Sequence, residues 1–206
     1  HKLVEAGKKN FVGRELRGST LGIIGLGAIG SMLAESAIQL GMHVIGFDPD
    51  ITVDAAWRLP SQVKKAANVD DLIKRADFIS LHVPLLPVTR DLINAERVKL
   101  MKKGCVLLNF ARDGIVNEQA AFDGLNEGKL LAYVCDFPSP LLRAHPRFVA
   151  LPHLGASTEE AEENCAVMVA DQVSDYLENG NILNAVNFPN IRLARESGFR
   201  LAIANA

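Results

Sequence analysis

One hexapeptide constrains this chain more than anything else in it: Gly25-Leu26-Gly27-Ala28-Ile29-Gly30, a G-x-G-x-x-G. Alone, that pattern is a weak signal. Here the apolar run Leu21–Gly25 before it reads as a strand, and Ile29–Leu40 reads as a helix with Met32, Leu33, Ala37 and Leu40 at its apolar positions. In a strand–turn–helix unit the first glycine permits the tight turn, the second lets the backbone come close to a pyrophosphate, and the third lets helix and strand pack closely. Free N–H groups at the helix start then face the phosphates. Gly25, Gly27, Ala28, Ile29 and Gly30 are therefore candidate dinucleotide-binding positions.

The rest of the chain extends this unit. Strand-like runs at His43–Phe47, Phe78–His82, Cys105–Asn109, Leu131–Cys135 and Phe148–Leu151 alternate with helical patterns at Val69–Arg75, Asn94–Leu100, Asn117–Glu127 and Ser157–Asn179. The last pattern has Ser157 or Thr158 as N-cap, acids in its first turn and Gly180 as its stop. Strands and helices alternating over short connections predict an α/β fold, a Rossmann-type doubly wound parallel sheet covered on both faces. The second strand runs into Phe47-Asp48-Pro49-Asp50. An acid about 20 residues past the glycines accepts hydrogen bonds from the adenosine ribose. A 2′-phosphate would meet Asp48 and Asp50 there, with no arginine on that turn, so NAD is expected over NADP.

Composition narrows the function classes. Asp and Glu number 24 against 22 Lys and Arg, a net charge of −2, with the signs interspersed. Neither nucleic acid nor an anionic membrane is called for as a partner. The longest apolar runs are glycine-broken and too short to span a bilayer, and the Lys-, Arg- and Glu-rich first twenty residues hold no apolar signal core. Cys105, Cys135 and Cys165 form no C-x-x-C pair and lie in apolar stretches, so they are expected to be inert core thiols in a reducing cytoplasm. No metal site is expected. The chain starts with His rather than Met, and its end, Phe199 to Ala206, alternates like a strand that lacks partners. A fragment of a longer multidomain chain is expected, with Asn181–Asn190 as a linker.

Three more motifs follow the glycine fingerprint. They are His82-Val83-Pro84-Leu85-Leu86-Pro87-Val88-Thr89, an H-x-P-L-x-x-x-T; Asn109-Phe110-Ala111-Arg112-Asp113-Gly114-Ile115-Val116, an N-x-x-R-G-x-x-V with Asp113 in place of the glycine; and Pro152-His153-Leu154-Gly155-Ala156-Ser157-Thr158, a P-H-x-G. In this order and spacing, from about Gly13 to Pro189, the chain resembles the D-2-hydroxyacid dehydrogenases. The P-H-x-G version and Asn-Ala-Val-Asn-Phe-Pro at 184–189 are similar to the phosphoglycerate dehydrogenase branch of that family. The resemblance implies a nucleotide-binding domain over residues 1–183, and a linker plus the first strand of a truncated C-terminal regulatory, ACT-like domain over 184–206. It also implies a small-molecule substrate, and a homodimer or homotetramer formed through the nucleotide domain. It adds His82, Val83, Pro84, Phe110, Ala111, Arg112, Asp136, His153, Gly155 and Ala156 to the cofactor-binding positions.

Moving a hydride between a 2-hydroxy acid and a nicotinamide requires a cation for the carboxylate and a base for the hydroxyl proton. By resemblance these are Arg112, whose planar fork suits a carboxylate, and His153, a residue type that titrates near working pH. Asp136 would hold the nicotinamide carboxamide. His43 reads as structural, His145 as exposed, and Trp57 as a packing residue; His82 has no evident proton to move. One departure stands out. The family pairs its histidine with a glutamate, and the closest pattern, D-F-P-S-P-E-L, here reads Asp136-Phe137-Pro138-Ser139-Pro140-Leu141-Leu142. Leu141 therefore predicts slow turnover that Leu141→Glu would raise at least about tenfold, unless Glu159 or Glu160 substitutes. The expected reaction is NAD-dependent oxidation of D-3-phosphoglycerate to 3-phosphohydroxypyruvate, the first step of serine biosynthesis. The alternatives are reduction of another small 2-oxo acid such as glyoxylate or hydroxypyruvate, and NAD binding with weakened or lost catalysis.

Overall fold

This computed structural model describes residues 12–155, 157–185 and 188–194, together with Glu5, Gly7, Lys8, Gly198, Phe199 and Leu201. Ala156 and most of the strand expected at 199–206 lie outside the described residues. The chain divides into two compact units, residues 1–153 and 154–206.

In the first unit seven strands form one sheet: β1 (Thr20–Ile24), β2 (His43–Phe47), β3 (Lys64–Lys65), β4 (Phe78–Leu81), β5 (Cys105–Asn109), β6 (Leu130–Cys135) and β7 (Phe148–Ala150). The order is β3-β2-β1-β4-β5-β6-β7, and every neighbouring pair is parallel. This is the doubly wound arrangement the alternation predicts. The helices are α1 (Ala28–Gln39), α2 (Val53–Arg58), α3 (Val69–Arg75), α4 (Ala95–Leu100) and α5 (Glu118–Asn126). Asn68, Asn94 and Asn117 cap α3, α4 and α5, each accepting a backbone N–H three residues on, which satisfies one of the donors a helix start leaves unpaired.

Two apolar clusters hold the sheet. Leu21, Ile23 and Val44 join Ala34, Ala37 and Met42 on one face. Ile24, Ile45, Ile79, Leu81 and Leu107 join Val69, Leu72 and Ile73 of α3, Val98 of α4, and Ala120, Ala121 and Leu125 of α5 on the other. β1 is buried along most of its length, whereas β5 and β6 alternate between buried and more exposed positions. Burial on both faces is thus strongest at the centre of the sheet.

The structure corrects several expectations. The inward face of α1 is Gly30, Ala34 and Ala37, while Met32 is 68% exposed and Leu40 also faces outward. Close packing of helix on sheet selects small residues, which a count of large apolar side chains overlooks. Trp57 is 84% exposed on α2, so it packs no core. His145 is half-buried and meets Phe122 edge-on at 6.0 Å. Cys105 and Cys135 are buried, with burial pushing the Cys105 thiol up to about 12, but Cys165 is exposed. The short elements α2 and β3 carry no periodic signal; β3 is two exposed lysines, a charge pattern that suits a sheet edge.

In the second unit, α6 (Glu159–Asn179) is capped by Thr158, whose side chain accepts from Ala161 N at 3.1 Å, and has Glu159, Glu160 and Glu162 in its first turn. Gly180, at φ +68°, ends it in the left-handed conformation. Asp175 then receives the side-chain amides of Asn179 and Asn181, and Ile182 pairs with Ile191 across a short antiparallel bridge.

Candidate active site

The strand order reverses between β1 and β4, and in such sheets the crevice beyond the strands' carboxyl ends at that point takes the ligand. The candidate residues of the first unit converge on that edge. Gly25 follows β1 at φ +94°, and a Cβ there would lie 2.4 Å from the His82 carbonyl oxygen at the end of β4. A Cβ on Gly30 would lie 2.0 Å from the Gly25 carbonyl oxygen. These two glycines let turn, helix and neighbouring strand meet. Gly27, the N-cap of α1, has nothing within 4 Å of its Cβ position and no side-chain cap. Its open side at the helix start is the place a pyrophosphate needs. Ala28 and Ile29 are exposed in the same first turn.

Asp48 stands at the end of β2. Its Oδ2 accepts from Leu26 N at 2.8 Å and its Oδ1 from Asp50 N at 3.0 Å. The carboxylate is thereby tied to the glycine turn, a role the motif spacing alone does not reveal. After β4, Thr89 organises the H-x-P-L-x-x-x-T loop: its hydroxyl donates to the Pro84 carbonyl at 2.6 Å and accepts from Leu86 N at 2.7 Å. Val83 packs partly into the core, and Pro84 is exposed.

His82 is partly buried, with Nε2 2.9 Å from Ser80 Oγ, and burial lowers its pKa from 6.5. A histidine that is harder to protonate in the fold than in the unfolded chain costs nothing above pH 6.5. As pH falls through that value the unfolded chain binds the proton first, so stability declines. The urea midpoint of the wild type should therefore drop more from pH 7.5 to 5.5 than that of His82→Gln. Equal drops would place the charged groups responsible elsewhere.

After β5, the buried Asn109 shapes the next turn. Its amide donates to the Arg112 carbonyl at 2.9 Å and its oxygen accepts from Ala111 N at 3.2 Å. This leaves Phe110 and Arg112 exposed at the sheet edge, with Arg112 Nη1 donating to the Ala111 carbonyl at 2.7 Å. Tyr133 of β6, which the sequence did not single out, is buried with its hydroxyl 3.5 Å from the Asn109 amide. Asp113 does not take a positive φ, which explains how a non-glycine residue fits; Gly114 takes the left-handed position, at φ +78°.

Asp136 follows β6, and His153 follows β7. Asp136 Oδ2 lies 2.8 Å from His153 Nδ1, and Asp136 Oδ1 is buried with no hydrogen-bond partner. Phe137 sits against the imidazole with ring centroids 4.7 Å apart. Asp113, Glu118, Asp136 and Ser139 line an open pocket of about 370 Å³. Leu141 is 39% exposed and offers no carboxylate. Of the two candidates beyond His153, Gly155 lies in the second unit at φ +54°, and Ala156 is outside the described residues. Among the described residues no cluster of metal-ligating side chains occurs, and no helix is long and apolar enough to cross a membrane.

A parallel β3-β2-β1-β4 half with a glycine turn at the switch point defines a dinucleotide-binding domain. The chain belongs to the D-isomer specific 2-hydroxyacid dehydrogenase, NAD binding domain family, which matches residues 1–155. It is similar to the D-3-phosphoglycerate dehydrogenase of Methanocaldococcus jannaschii, 42% identical over 191 residues, covering 89% of this chain and 36% of that protein. It is also similar to the D-3-phosphoglycerate dehydrogenase of Bacillus subtilis, 38% identical over 185 residues, covering 87% of this chain and 35% of that protein. Among solved structures, a glyoxylate reductase from Paecilomyes thermophila superposes with a TM-score of 0.76 at 28% identity, covering 90% of this chain and 58% of that one. The chain thus spans little more than a third of the length of these two curated relatives.

Proposed function

We propose that this chain is the nucleotide-binding part of an NAD-dependent D-3-phosphoglycerate dehydrogenase, which oxidises D-3-phosphoglycerate to 3-phosphohydroxypyruvate. The observation that carries the reading is the gathering of Gly25–Gly30, Asp48, Arg112, Asp136 and His153 along one edge of the sheet, in a chain 42% identical to a D-3-phosphoglycerate dehydrogenase.

The residues fit NAD on three counts: open space at Gly27 for the pyrophosphate, the Asp48 carboxylate at the end of β2 for the ribose, and a buried, unpartnered Asp136 Oδ1 for an amide N–H. When bound, NAD supplies the acceptor for the substrate hydride. Arg112 pairs with the substrate carboxylate and draws electron density from the adjacent carbon. His153 takes the hydroxyl proton as the C–O bond becomes C=O and the hydride leaves. In the reverse direction His153 returns the proton to the carbonyl oxygen. A second reading, a reductase of glyoxylate or hydroxypyruvate, is favoured by the likeness to the glyoxylate reductase structure.

The test is NADH oxidation by the full-length protein with phosphohydroxypyruvate, hydroxypyruvate and glyoxylate. Phosphohydroxypyruvate should give the highest kcat/KM, and NADH should bind at least about tenfold tighter than NADPH, a difference of ~1.4 kcal/mol. A preference for glyoxylate or hydroxypyruvate would support the second reading. Equal or tighter NADPH binding would remove Asp48 from its role.

A further inference from the structure

The position from which the family's glutamate would reach His153 holds Leu141, yet His153 does not lack a carboxylate. We propose that Asp136 is the positioning residue for His153, replacing that glutamate. Its Oδ2 accepts the Nδ1–H, so the neutral ring carries its proton on Nδ1 and keeps the Nε2 lone pair free for the substrate hydroxyl. The inference rests on the reading of His153 as the proton acceptor, but its spectroscopic test does not.

Three observations carry it. The first is the origin of the pair. Cys135 pairs with Ala150 in the parallel β6–β7 ladder, and Leu151 N donates to the Cys135 carbonyl at 2.9 Å. This register brings the residues just beyond the two strands to the same edge of the sheet, where Asp136 and His153 meet at 2.8 Å. The pairing of the two strands therefore sets where Asp136 and His153 stand, and the Leu141 side chain contributes no group to the pair. The second is the setting. Asp136 is 9% exposed, so little water reaches the carboxylate, and Phe137 gives a wall to an imidazole that is itself 52% exposed and so open to a substrate. The third is Oδ1, buried and unpartnered. A buried acceptor in that state is costly unless a ligand completes it. Oδ1 is the oxygen left for the carboxamide of NAD, while Oδ2 is taken by the imidazole. One carboxylate would then link the cofactor to the base, setting the orientation of both. Asp113 and Glu118 line the pocket next to Asp136, but among the described residues it is Asp136 whose carboxylate meets the His153 ring.

The test begins with the ¹⁵N resonances of the His153 ring in this chain, recorded at a pH where the ring is neutral. The wild type should show the Nδ1–H tautomer in excess. Asp136→Ala should shift the population toward Nε2–H, the form favoured by free imidazole, with the rest of the spectrum unchanged. Should the variant fail to fold, the wild-type spectrum decides alone, since a ring that is mainly Nε2–H overturns the proposal. In the full-length protein, Asp136→Ala should lower kcat by about 10²–10⁴, the usual range for acid–base contributions. Adding Leu141→Glu to that variant should restore at least about tenfold, because a second carboxylate can then reach the ring. Leu141→Glu alone should change kcat by less than about threefold. A gain of about tenfold or more would mean that His153 lacks a working partner in the wild type, and that Asp136 does not fill the role. If the wild type turns over no 2-oxo acid, the dehydrogenase reading fails, while the tautomer still judges Asp136.

Discussion

Replacing Arg112 with alanine in the full-length protein is expected to cut kcat/KM for the 2-oxo acid severely while leaving NADH affinity within about twofold of wild type. The side chain stands exposed beyond β5: Asn109 holds its backbone carbonyl, and the guanidinium donates to the Ala111 carbonyl. In the free chain it supports no core packing, so its removal should leave the fold intact. In the proposed substrate complex it would become the partner of a carboxylate shielded from water. Deleting one member of such a pair costs about 2–5 kcal/mol, which at ~1.4 kcal/mol per factor of ten corresponds to a loss of roughly 30-fold to several thousandfold. Arg112→Lys should recover part of this, since the charge returns without the fork. Steady-state kinetics and a fluorescence titration with NADH separate the two effects. Lost NADH affinity with normal turnover would assign Arg112 to the cofactor instead.

The three fingerprint glycines should separate by phenotype. Gly25→Ala puts a Cβ 2.4 Å from the His82 carbonyl oxygen at a residue held at φ +94°, and Gly30→Ala puts one 2.0 Å from the Gly25 carbonyl oxygen. Overpacking costs about 1–3 kcal/mol and a left-handed backbone at a non-glycine residue ~1–2 more. For a chain of this size each kcal/mol lowers Tm by about 2–4 °C, so Gly25→Ala should melt roughly 10 °C below wild type, and Gly30→Ala several degrees below. Gly27→Ala meets nothing within 4 Å, at an ordinary φ of −66°. Its Tm should fall by no more than about 4 °C, since alanine is a poorer N-cap than glycine by roughly 1 kcal/mol. Its NADH affinity should fall at least about tenfold, because the new methyl stands where the pyrophosphate must approach. Calorimetric melting and NADH titration of the three variants give the comparison. If Gly27→Ala binds NADH as tightly as wild type, the pyrophosphate does not lie over that turn.

The expected strands and helices were legible because doubly buried strands are continuous apolar runs and because capping residues such as Asn94 and Thr158 announce helix starts; the Asn68 cap of α3 emerges only in the fold. The inner face of α1 was misread: Gly30 and Ala34 are small, and what buries them is the closeness of the sheet, not their own hydrophobicity. Trp57 and Cys165 were misread for the converse reason, since an apolar residue type does not specify a buried position. The tie from Asp48 to Leu26 spans 22 residues and exists only once β1 and β2 lie side by side.

The sequence by itself determined the parallel α/β architecture, the glycine turn at the end of β1, the acid at the end of β2 and the family. Each of these is written in local patterns whose physical meaning needs no distant partner: an apolar run, a capping residue, a glycine spacing between strand and helix. Tertiary structure alone decided the company His153 keeps. Read along the chain, its missing partner is Leu141. Read across the sheet, its partner is Asp136, because parallel pairing of β6 with β7 sets side by side two residues that lie 17 positions apart, at a distance of 2.8 Å. A one-dimensional motif records which residues are present, but a hydrogen bond depends on the register of strands that only the folded sheet supplies.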